Sequence, residues 1–63
     1  MDSDRSELTA LANSLDDVRN RITAVADRYR ATPRGDVAEG LYEVERSLMT
    51  AGRQLERVLR SMR

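Results

Sequence analysis

The sequence predicts an all-α fold: an antiparallel, coiled-coil-like two-helix hairpin that dimerises into a four-helix bundle. Three observations carry this reading. Apolar residues recur in alternating three- and four-residue steps through two stretches, the spacing that keeps one seam of a helix apolar. The one strong breaker pair, Pro33 and Gly35, falls between the stretches. The chain has only 63 residues and no cysteine, and below about 70–80 residues a lone core rarely supplies more than ~3–5 kcal/mol. Without disulfides, and with neither Cys nor His for the usual structural zinc sites, association is the common remaining source of stability.

Helix 1 is expected over about residues 4–30. Asp4 and Glu7 have capping-box spacing, and the seam runs Leu8, Leu11, Leu15, Val18, Ile22, Val25, Tyr29. A turn is expected over about 31–35, because Pro33 lacks an amide donor and biases Thr32 away from helix, while Gly35 tolerates positive φ. Helix 2 is expected over about 36–61, opened by the repeated capping spacing of Asp36 and Glu39. Alternatively, Pro33 is the first helical residue with Thr32 as its cap. Its seam runs Val37, Leu41, Val44, Leu48, Ala51, Leu55, Val58, Met62. The whole chain, 1–63, is then a single hairpin.

A short turn makes the helices antiparallel neighbours. If Tyr29 faces Val37, Val25 meets Leu41, Ile22 meets Val44, Val18 meets Leu48, Leu15 meets Ala51, Leu11 meets Leu55 and Leu8 meets Val58, so every layer is apolar on both sides. Charge supports the same topology. Residues 2–17 carry a net −4 and 18–30 a net +3; residues 36–47 carry −3 and 48–63 carry +3. Each helix starts acidic and ends basic, which suits its macrodipole and sets opposite signs side by side only in an antiparallel pair.

With Leu8 and Leu41 at heptad position a, the e positions are small or complementary: Ala12 by Gly52, Arg19 by Glu45, Ala26 by Ala38. Next to them on helix 2 lie Tyr42 and Met49 at b and Leu59 at e, which widen the apolar stripe on that side. The flank of Ala12, Ala26, Ala38, Tyr42, Met49, Gly52 and Leu59 is therefore the expected oligomer or partner interface, with small residues admitting close approach and large ones supplying area.

Composition bears on function mainly by exclusion. Eleven acidic residues balance eleven basic ones, all of the latter Arg, so no global field draws the chain to nucleic acid or anionic lipid. No stretch approaches the ~18 consecutive apolar residues of a membrane span, and the acidic N-terminal region is unlike a basic signal-peptide start; a cytoplasmic protein without membrane partners is expected. With no His for neutral-pH proton transfer and no Cys nucleophile, an enzyme is not expected. Asp16 with Asp17, and Glu39 with Glu43, bring too few oxygens together for a hard cation, so neither cofactor nor metal is expected. The expected function is a non-enzymatic, self-associating hairpin serving as a protein–protein interaction, structural or small regulatory module. Its partner is a second copy or a helix of a larger protein. The rival reading is a nucleic-acid-binding dimer using Arg46, Arg53, Arg57 and Arg60, which fall in one stripe on helix 2, although no aromatic interleaves with them.

Overall fold

The computed structural model describes residues 2–62; Met1 and Arg63, the latter counted above among the basic end of helix 2, lie outside the described residues. Two helices, α1 (Asp2–Arg30) and α2 (Gly35–Ser61), are joined by residues 31–34 and pack against each other as a hairpin. The molecule is a narrow slab of 49 × 14 × 9 Å, with a long edge close to the rise of one 29-residue helix.

Local chemistry at the turn differs from the expected capping. Thr32 Oγ1 donates to the Tyr29 carbonyl at 2.7 Å and accepts from the Arg34 amide at 3.1 Å, so one hydroxyl closes α1 and shapes the link. The Thr32 amide also donates to the Tyr29 carbonyl. Neither Asp36 nor Glu39 caps α2: the residue before the helix is Arg34, with no side-chain cap bond. Asp36 instead accepts two bonds from the Arg34 guanidinium, at 3.1 and 3.2 Å, a fork that occupies the carboxylate otherwise available to the helix. Gly35 opens α2 in helical conformation, and no described residue has positive φ, so the turn does not use the freedom glycine offers.

At the other end Arg5 ties the hairpin shut. Its Nη1 donates to the Leu59 carbonyl at 2.7 Å, which also accepts the Met62 amide, and to the Met62 carbonyl at 2.6 Å, placing a cation at the negative end of the α2 dipole. With α1 starting at Asp2, Asp4 sits inside the first turn and is not a cap.

The interior is small. Among the described residues only Ala26 and Ala38 are buried, at 0% and 2% exposure, and no large side chain is fully buried. Both sit one helical turn from the link, where four connecting residues hold the helices together and leave room for methyl groups alone.

The Arg34–Asp36 fork has a titration signature. The guanidinium hydrogen bond holds the Asp36 carboxyl below its ordinary value of 3.8. Because the folded-state value is depressed, the stabilisation is present above the ordinary Asp range and is lost as pH falls through the folded value. In carboxyl NMR titrations, Arg34→Gln is expected to raise the Asp36 midpoint to the ordinary range, whereas an unchanged midpoint would refute the fork.

Candidate functional site

The register between the helices is fixed by contacts. Arg19 Nη1 meets Glu45 Oε2 at 3.3 Å, with only 29% and 18% of the two side chains exposed, as the e-to-e pairing requires. Asp16 shares the same guanidinium at 3.7 Å. The Tyr42 hydroxyl donates across to Asp27, and this hydrogen bond, followed by partial burial, raises the phenol above its ordinary value. Among the described residues Ala26 and Ala38 are the two that are buried, as expected of facing e positions at the turn end.

These contacts place the flank of small residues inside the hairpin. Ala26 and Ala38 lie between the helices, and Ala12, Gly52, Leu59, Tyr42 and Met49 are half-buried on the same side. Of the flank expected to meet a partner, Ala26 and Ala38 are enclosed within the hairpin, while the other five residues remain partly exposed. Gly52 is not held by a close approach either, since a Cβ built there meets nothing within 4 Å.

The surface left open is the other side of the seam. Leu11, Val18, Val44 and Val58, all at heptad position d, are 49%, 42%, 42% and 49% exposed, and Tyr29 is 40% exposed. Across an antiparallel pair one flank carries both e rows, so the opposite flank carries both d rows. The two helices therefore open their d residues on one face. A shallow groove lies beside the α1 row near the turn end, lined by Val18, Arg21, Ile22 and Val25 from α1 and by Leu41, an a residue, from α2. The result is an apolar stripe along the slab, with one exposed d residue in most layers and a half-buried a residue beneath it.

The reason is angular. On α2 apolar residues occur at d, a, e and b, an arc of about 160° at 100° per residue, interrupted by Glu45 at e and Glu56 at b. One neighbouring helix cannot cover that width. The small Ala26 and Ala38 let α1 approach on the e side, Tyr42 reaches across that flank to Asp27, and most of the d row is left exposed. The sequence signal for this was the asymmetry of the arc, whose middle lies between a and e rather than between a and d.

The arginine stripe is on the outside of α2. Arg46, Arg53, Arg57 and Arg60 are all exposed, and among the described residues none lies within ion-pair distance of a carboxylate, unlike Arg19, Arg21 and Arg34. Arg53 reaches only the Met49 sulfur, at 3.5 Å. Heptad positions f and c, where the four lie, point away from the d row. Among the described residues no three carboxylates gather to hold a metal ion, and no helix is long and apolar enough to cross a membrane.

Open space at Gly52 makes a specific expectation. Gly52→Ala removes a helix-propensity penalty of about 1 kcal/mol without meeting a neighbour, so thermal unfolding followed by circular dichroism is expected to show a rise in Tm of several degrees. A fall in Tm would mean that the backbone there touches something the isolated hairpin lacks.

Comparison with protein-family models, with curated proteins and with solved structures gave no match.

Proposed function

We propose that the chain is a non-enzymatic association module, a helical hairpin that self-associates through its open d-row face to form a four-helix bundle. The observation that supports this best is the pairing of two facts: among the described residues no large side chain is fully buried, and the d residues Leu11, Val18, Val44 and Val58 are each about half exposed. Fully burying a Val or Leu contributes about 1.5–3 kcal/mol, and the lone hairpin realises that in full at no position. Covering the d rows completes the arc that α1 leaves open on α2. The face also measures up as an interface. Two slab sides of 49 × 14 Å stacked in full would cover at most roughly 1,400 Å² of projected area, comparable with the ~1,200–2,000 Å² of specific interfaces.

A second reading is supported by four guanidinium groups that make no ion pair among the described residues. Arg46, Arg53, Arg57 and Arg60 would remain outward in such a bundle, and a polyanion such as nucleic acid could be neutralised along them. Neutral net charge and the neighbouring Glu39, Glu43 and Glu56 count against it. Mixed-sequence DNA and RNA at low salt discriminate: a steep salt dependence abolished by replacing the four Arg with Gln would establish this reading, and no binding at low salt would remove it.

For the preferred reading, sedimentation equilibrium is expected to give a dimer, and Tm is expected to rise with protein concentration, as it does when association is linked to folding. Val18→Asp and Val44→Asp each place a charge on the stripe and are expected to shift the equilibrium to monomer with loss of helix, while Arg53→Gln leaves it unchanged. A folded monomer at micromolar concentration, with a concentration-independent Tm, would overturn the proposal.

A further inference from the structure

Resting on the self-association just proposed, we infer that the occupant of the open face is a second copy placed by a two-fold axis perpendicular to the hairpin, with α1 lying antiparallel on the partner's α1, α2 on the partner's α2, and the two turns at opposite ends. An isologous dimer stacked face to face has two simple choices. In one, the axis runs along the hairpin, the turns sit at the same end, and α1 covers the partner's α2. In the other, the axis crosses the hairpin. Two observations favour the second.

The first is where the full d rows are centred, counting Val25 and Val37, which are half-buried at the turn end, with the exposed members. The α1 row of Leu11, Val18 and Val25 is centred on Val18, and the α2 row of Val37, Val44, Ala51 and Val58 is centred between Val44 and Ala51. The register set by Arg19 and Glu45 places Val18 across from Leu48, between those two. One crossing axis therefore centres both rows. It sets Val18 on the partner's Val18, Leu11 on the partner's Val25, and Val44 on the small Ala51 of the partner subunit.

The second is the charge on the rim. On the α1 side the g positions beside the d row are Glu7, Ser14, Arg21 and Arg28; on the α2 side they are Gly40, Ser47, Gln54 and Ser61. Arg21 is engaged by Asp17 at 3.6 Å. Glu7 and Arg28 are exposed and, among the described residues, make no ion pair within the chain. With α1 antiparallel on the partner's α1 about Val18, Glu7 comes beside the partner's Arg28 and Arg28 beside the partner's Glu7. The same axis brings together the small, neutral rims of the two α2 helices, which admit close approach. With the turns at the same end, Glu7 and Arg28 would instead look onto the neutral rim of the partner's α2, and no charge would be matched. Such exposed pairs add little affinity, but they favour the arrangement that matches them over the one that leaves both charges unmatched.

The chain contains no cysteine, so one introduced thiol reports on position alone. Val18→Cys, oxidised under non-denaturing conditions, is expected to give a disulfide-linked dimer in high yield, because only at a crossing two-fold does residue 18 face itself. A mixture of Val18→Cys and Ala51→Cys chains is expected to give little of the mixed product. Predominant 18-to-51 linkage would overturn the orientation and leave self-association standing, as would an uncrosslinked Val18→Cys protein that sediments as a dimer. A Val18→Cys monomer, with the unaltered chain also monomeric, would remove both proposals. As a second readout, Glu7→Arg or Arg28→Glu alone is expected to weaken dimerisation roughly tenfold at low salt, and the double exchange to restore it. An unaffected dimer in both single variants would overturn the inference.

Discussion

Everything in this molecule follows from the width of an apolar arc. A helix buries what one neighbour can reach, and α2 presents apolar residues over four heptad positions where one neighbour reaches about two or three. The hairpin meets the constraint by packing on its small residues. Ala26 and Ala38 are enclosed, Ala12 and Gly52 lie along the same line, and the Arg19–Glu45 pair occupies the one layer where side chains are long and polar. Small residues give proximity but little buried area. The large residues are therefore shared between an interior that only half covers them and a face that is open.

Electrostatics and the turn decide the topology more than the stability. The acidic starts and basic ends of both helices suit an antiparallel pair, and two arginines act at its extremities. Arg5 donates to the closing carbonyls of α2, and Arg34 holds Asp36 at the start of the same helix. These contacts are solvent-exposed, and exposed pairs contribute ~0–1 kcal/mol each. Their effect is to fix register and helix ends, so that the apolar rows fall in line along the slab.

The helices, the break between them and the pairing of Arg19 with Glu45 were legible in the sequence, because heptad spacing, a proline and complementary e residues each report directly on backbone geometry. Two features were not. Asp36 has the spacing of a capping residue, yet a neighbouring guanidinium competes for the same carboxylate, and spacing alone cannot rank a local fork against a cap. How far α1 itself encloses the e side of the seam was also not legible. A row of alanines serves equally well to bring two helices of one hairpin together or to dock a second molecule, and assigning the seam to a and d assumed an apolar arc symmetric about that seam. Tyr42 and Met49 at b break the symmetry, and their position moves the contact toward e. Gly52 added to the ambiguity, since its lack of a side chain suggests close approach where the structure has open space.

The same asymmetry ties folding to association on the proposed reading. In a hairpin whose d row were covered by its own chain, helix formation and core burial would be complete at any dilution. Here the residues that would complete the core, Leu11, Val18, Val44 and Val58, contribute their remaining stabilisation only when another surface arrives. Ordering a chain of this length opposes folding at every residue, so the missing contacts fall where the balance is closest. Mass action then sets the folded fraction: the concentration of the covering partner determines how much of the hairpin persists. The polar exterior does not enter that balance. The arginine row of α2 lies on the far side of the helix from the d residues, so covering one leaves the other facing solvent, and the two surfaces are free to act independently.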